Sequence, residues 1–218
     1  MAEIMREKIH ELLETHRYNE DLMPELLKCL DAQVADGWYD VDANLAILKQ
    51  YQFRPTDDFV KTEVISKILA LSLCQLPAPD FRLALCLIPE RFQGMKEIGV
   101  MNDMHSALQS ANFEAFWKLS DENPEFAYMV PAFTKSARKY ILRCLRACFH
   151  VTNAEVLCEA LHLKGAELGA FLGECGLSIG HDDKVVLPCD KENQEKTTGF
   201  DENVQLSEVA ELVKELIA

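Results

Sequence analysis

The sequence predicts a mainly α-helical protein in two parts: helix pairs stacked as a small solenoid, then a C-terminal winged helix carrying a small β-hairpin. Apolar residues recur at helical spacing from the N-terminus to about residue 130, with Gly or Pro between the runs. Residues 152–188 follow another order: helix, glycine turn, helix, then two short β-prone runs around a polar turn. No strand pattern precedes residue 177. The stacking is inferred from the spacing of the helices, since no self-similarity recurs at a fixed period.

Ile4, Ile9, Leu12 and Leu13 give a first amphipathic helix ending near His16 and Arg17. Asn19 is placed to cap a second helix with Leu22, Leu26, Leu27, Leu30 and Val34, which Gly37 ends. Asp40 caps a third, with Val41, Leu45, Leu48 and Tyr51 on one face. Pro55 and Thr56 then punctuate the chain before a strongly apolar helix containing Val60, Val64, Ile68, Leu69 and Leu73. Pro77 and Pro79 break it again, and Asp80 opens a short helix through Leu87. An irregular passage after Pro89 leads to a helix over 96–110. Asn112 opens a short one carrying Phe113, Phe116, Trp117 and Leu119. The boundary between the parts falls near Asn123 and Pro124, giving units of 1–128 and 129–218.

The second part begins with a helix over 131–150. Lys135, Lys139, Arg143 and Arg146 project within roughly one quadrant at 100° per residue, and Arg138 stands beside them. Ala137, Ile141, Cys144, Leu145 and Cys148 lie opposite, ready for a core. Thr152 with Glu155 spells a capping box for a helix with Val156, Leu157, Ala160 and Leu161. Gly165 breaks that helix, Leu168, Phe171, Leu172 and Cys175 mark the buried face of the next, and Gly176 stops it. Strands over 177–179 and 185–187 are expected to pair across the turn 180–184, and Val185 and Leu187 belong to an edge that a partner subunit would meet. Residues 190–201 are polar and without period. A final segment, 204–218, places Leu206, Val209, Val213 and Leu216 on one face as a further candidate subunit contact.

Charge conflicts with the shape. Winged helices usually meet DNA, yet helix 166–175 offers solvent Glu167, Glu174 and glycines, without one Lys or Arg. The net charge of −14 also argues against nucleic acid as the main partner, because phosphate neutralisation needs an excess of bases. The basic stripe on 135–146 is the one place where weak contact with RNA or an acidic surface is expected. Gly165, Gly169 and Gly173 recur every four residues, as on a bare helical surface or one that a partner backbone approaches closely.

Catalytic patterns are missing. There is no phosphate-binding Gly-x-x-x-x-Gly-Lys loop, no Gly-x-Ser-x-Gly elbow and no His-Glu-x-x-His helix, and the six histidines are scattered. The acid pairs Asp57–Asp58 and Asp182–Asp183 look like a helix start and a turn. The eight cysteines fall mostly at apolar helical positions, as small buried hydrophobes do in a reducing compartment. Cys144 and Cys148 are a helical turn apart, but no further ligand completes a metal site. The expectation is a protein with no catalytic residues, no cofactor and no metal. No apolar run approaches the roughly 20 residues of a membrane span, and the N-terminus lacks a signal-peptide core. A cytosolic or nuclear location, away from membranes, is expected.

Two passages take the reading further. The runs YDVDANLAILKQYQF at 39–53 and NFEAFWKL at 112–119, with Asp121, Glu122 and Asn123 just after, closely resemble the k subunits of eukaryotic translation initiation factor 3. Arg17, Tyr18 and Asn19 match that family too, and the resemblance covers nearly the whole chain. It implies a HEAT-like helical-repeat domain followed by a winged helix, in a non-catalytic subunit that helps assemble the ribosomal preinitiation complex on mRNA. The implied partners are other subunits of the factor, above all its l subunit, and the small ribosomal subunit through the complex. Small subunits of the proteasome lid and the COP9 signalosome share this architecture. In that class, winged helices line up edge to edge and C-terminal helices gather into a bundle. The contrasting expectations are an RNA-binding winged-helix protein acting through the 135–146 stripe, or a paralogous subunit of the proteasome lid or COP9 signalosome.

Overall fold

A computed structural model describes residues 2–16, 19–56, 59–180 and 182–188. Its first helices start and stop where side chains satisfy the ends. Helix α1 is Ala2–His16, and a 3-10 turn over Glu20–Leu22 leads into α2, Met23–Asp36. Asn19 accepts the Asp21 N–H at 3.1 Å, and Gly37, at φ +70°, donates back to the Gln33 carbonyl. Helix α3, Val41–Phe53, is capped by Asp40, whose Oδ1 accepts the Ala43 N–H at 3.0 Å.

These three helices share a polar clasp that apolar patterning did not anticipate. Gln33 and Asn44, 0% and 1% exposed, exchange two amide hydrogen bonds of 3.1 and 3.0 Å, and Gln33 Oε1 also accepts the Asp40 N–H. Asp40 Oδ2 faces Arg6 Nε at 3.3 Å and His10 Nε2 at 3.0 Å on α1. A low-dielectric interior makes each such bond costly to break, so the clasp holds α1, α2 and α3 in register. The apolar stripe of α1 is narrower than expected: Ile9 and Leu13 are buried, while Ile4 is 73% exposed.

The next elements are α4, Thr62–Leu73, α5, Asp80–Leu87, and α6, Glu90–Gln93, which lies within the expected irregular passage. They are followed by α7, Lys96–Gln109, and α8, Phe113–Glu122, whose cap Asn112 accepts the Ala115 N–H at 3.2 Å. Then come α9, Glu125–Met129, and α10, Phe133–Cys148. Helix α4 is apolar nearly all round, which is the pattern of a helix enclosed by others. It packs against α2, α3, α5, α7, α9 and α10. Ile65, Ile68, Leu69 and Ala70 on it are 0% exposed. On α10, Phe133, Ala137, Ile141, Leu142 and Leu145 are buried, whereas Cys144 is half-buried and Cys148 exposed. Buried side chains form one connected cluster from Ile9 to Leu187.

The C-terminal region departs from expectation in its sheet. Strand β1, Val151–Asn153, follows α10 directly and pairs antiparallel with β2, Lys184–Val186, with Val151 opposite Val186. A strand therefore precedes residue 177 after all. Between them lie α11, Ala154–Leu161, and α12, Gly165–Glu174. Thr152 sits in β1, and Asn153 precedes α11 without a side-chain cap, so the Thr152–Glu155 capping box does not form. The expected 177–179 strand reduces to a single bridge, Ile179 to Val185. The cause is local: Gly176, at φ +73°, reverses the chain, and the Leu177 N–H is spent on the Leu172 carbonyl as the C-terminal cap of α12. His162, at φ +50°, ends α11 in the same way, with Leu163 donating to Cys158, and Gly165 instead opens α12. Asp57, Asp58, His181, Cys189, the polar stretch 190–201 and the amphipathic segment 204–218 lie outside the described residues.

Candidate interaction site

The basic helix α10 is where sequence placed its main candidate residues, and the fold separates them. Arg138 turns inward. Its Nε donates to the Leu161 carbonyl at 3.1 Å and its Nη2 to the His162 carbonyl at 3.2 Å, satisfying the end of α11. The guanidinium also lies 5.6 Å from the centroid of the Trp117 ring, which itself donates to the Ala160 carbonyl at 2.8 Å. Burial lowers the Arg138 pKa from its ordinary value, with Glu167 opposing the shift. Arginine stays cationic under such a shift, so the group acts as a fixed charge tying α10 to α8 and α11.

Lys135 is exposed and meets Glu174 of α12 at 2.6 Å. That hydrogen bond raises the lysine pKa and lowers that of Glu174, the two shifts agreeing in sign. With both side chains more than half exposed, the pair contributes little to stability. It does mask one positive and one negative charge from a ligand. Lys139 and Arg143 lie on the exposed face of α10, while Arg146 is half-buried. The predicted five-residue stripe is therefore a smaller cationic surface beside an internal arginine clamp.

Of the candidate subunit contacts, Val185 and Leu187 are 0% and 1% exposed. Their side chains belong to the chain's own core. Leu206, Val209, Val213 and Leu216 lie outside the described residues. Exposed apolar side chains occur instead at Phe149 and at the cross-strand pair Val151 and Val186. Sequence reasoning missed these because β1 was not anticipated. Two residues of spacing in 149–151 is the only pattern that could have flagged it.

On α12, a Cβ built at Gly165, Gly169 or Gly173 meets nothing within 4 Å, so no backbone among the described residues approaches that face. Glu167 accepts the Lys164 N–H at 3.2 Å, and Glu174 holds Lys135. The acids on this helix thus have structural partners. Among the described residues, one group of side chains is close enough to share an ion, namely His10, Asp40 and Asp42. Asp40 there already serves the Ala43 N–H, Arg6 and His10. Burial raises the Cys144 thiol pKa, an unhelpful shift for a metal-binding thiolate. No helix among the described residues is long and apolar enough to cross a membrane.

A model of the CSN8/PSMD8/EIF3K family matches residues 60–199, well over half of the chain. The chain belongs to this family. Members similar to it nearly end to end include a human protein named eukaryotic translation initiation factor 3 subunit K, 29% identical over 98% of this chain and 97% of the human protein. The mouse protein of the same name is 30% identical with the same coverage. That of Caenorhabditis briggsae is 31% identical over 97% of this chain and 95% of its own. Within the CSN8/PSMD8/EIF3K family, then, these relatives all carry the name of one translation factor subunit.

Proposed function

We propose that this chain is a non-catalytic scaffold subunit of the eukaryotic translation initiation factor 3 complex, supporting assembly of the ribosomal preinitiation complex on mRNA in the cytoplasm. The observation that carries the proposal is end-to-end similarity to proteins named subunit K of that factor. In this reading residues 1–128 are a HEAT-like repeat unit and 129–218 a winged helix with a C-terminal helix. The l subunit of the factor is the direct neighbour, and the small ribosomal subunit is met through the complex. Among the described residues β1 has an unpaired edge beside exposed Val151, to which a partner strand can add.

An RNA-binding role through α10 is the second reading. The internal use of Arg138 and the Lys135–Glu174 pair argue against it, because few cations remain to release counterions. The two readings separate in one experiment. Lys139→Glu with Arg143→Glu should leave incorporation into the complex intact, whereas Val151→Asp with Val186→Asp should release the subunit. Steeply salt-dependent RNA binding by the isolated protein, lost in the first variant, would favour RNA instead.

A further inference from the structure

Helices α8 and α11 form an open groove of about 1050 Å³ that nothing in the described chain fills. Its walls have helical periodicity. Helix α8 contributes Phe113, Glu114, Trp117, Lys118, Asp121 and Glu122, one stripe with spacing i, i+1, i+4, i+5, i+8, i+9. Helix α11 contributes Val156, Glu159 and Ala160, spaced i, i+3, i+4. The floor is apolar: Trp117 is buried with its indole N–H already bonded, Phe113 is half-buried, and Val156 is 44% exposed. The rim is acidic. Glu114, Asp121, Glu122 and Glu159 are all exposed, against Lys118 and His162, and His162 is itself paired to Asp121 at 3.8 Å.

We propose that the α8–α11 groove is a docking site for a basic amphipathic helix of a partner protein. An apolar floor between acidic walls matches a helix with an apolar stripe flanked by Lys or Arg. The wall on α8 is long enough, at about 1.5 Å per residue, for roughly three turns of such a helix. The chain's own C-terminal segment lacks the complementary charge. Residues 201–218 carry Asp201, Glu202, Glu208, Glu211 and Glu215 against the single base Lys214. A basic helix with an apolar stripe carries the charge that the acidic rim attracts.

The test uses the full-length chain with Trp38→Phe, which leaves Trp117 as the sole tryptophan and places a reporter in the groove floor. The probes are two synthetic helical peptides of about 15 residues with leucine at identical positions, the remaining positions being lysine in one and glutamate in the other. Saturable change of Trp117 emission with the lysine peptide, and none with the glutamate peptide, is expected. Glu114→Lys with Glu159→Lys should weaken binding roughly tenfold or more. The same charge change at Glu11 and Glu14, exposed on α1, should alter it less than about twofold. Equal weakening by the two charge-reversed pairs would reduce the effect to net charge and overturn the proposal. So would binding of both peptides alike, or a Trp117 signal that follows self-association of the chain rather than added peptide.

Discussion

Replacing Arg138 by alanine should destabilise the protein far more than replacing Lys135, although both belong to one predicted basic stripe. Arg138→Ala removes a charged hydrogen bond to the part-buried Leu161 carbonyl, worth about 1.5–2 kcal/mol. The bond to the more exposed His162 carbonyl adds about 0.5–1 kcal/mol, and the contact with the Trp117 face about 0.5 kcal/mol. The expected loss is about 3 kcal/mol, or roughly 6–12 °C in Tm for a chain of this size. Arg138→Lys should recover less than half, because an ammonium cannot span both carbonyls as the guanidinium fork does. Lys135→Ala removes only a solvent-exposed pair with Glu174 and should leave the midpoint unchanged. Thermal unfolding followed by circular dichroism, with urea titration as a check, reads all three. Equal destabilisation by Arg138→Ala and Lys135→Ala, or none by Arg138→Ala, would refute the division of the stripe into clamp and surface.

Other predictions concern the interior and the turns. Gln33→Leu should cost about 2–4 kcal/mol in urea unfolding, since it strands the buried Asn44 amide and the Asp40 N–H. Adding Asn44→Leu should restore part of that loss rather than deepen it. His105 is buried and stacked on Phe81 at 4.3 Å, and burial, then the charge of Arg82, lowers its pKa from 6.5. The unfolded chain therefore takes up that proton first. The His105 contribution is present above pH 6.5 and is lost as pH falls from there through the folded-state value; His105→Gln should flatten this part of the stability profile. Gly176→Ala should destabilise by about 1–2 kcal/mol because of its positive φ. Gly169→Ala, on the open face of α12, should instead stabilise by about 0.5–1 kcal/mol, and paired melts would expose any failure of the opposite signs.

The helices from α1 to α8, the short α6 excepted, were legible because their signals are local. Asp40 and Asn112 cap α3 and α8 where their side chains predict, Asn19 caps the 3-10 turn ahead of α2 rather than α2 itself, and Gly37 stops α2 by its own conformation. The sheet was illegible for the opposite reason. A strand of the length of β1 has no alternation to read, and its partner lies beyond two helices. Thr152 and Glu155 had capping-box spacing, but pairing of Thr152 with Val185 claimed that backbone for the sheet. The polar clasp of Gln33 and Asn44 escaped notice because apolar periodicity treats both as solvent-facing. The groove was partly visible. Phe113 and Trp117 were expected on one short helix, but their meeting with Val156 and Ala160 depends on how α8 crosses α11. Arg138 gave a faint signal, standing about 60° from Lys135 on the helical wheel, toward the core side.

The central claim is membership of a translation initiation complex. Affinity purification of the tagged full-length chain from its own cells, followed by mass spectrometry, tests it most directly. Recovery of the other subunits of initiation factor 3, the l subunit foremost, together with small ribosomal subunit proteins, is expected. Recovery of proteasome-lid or COP9 signalosome subunits in their place would contradict it.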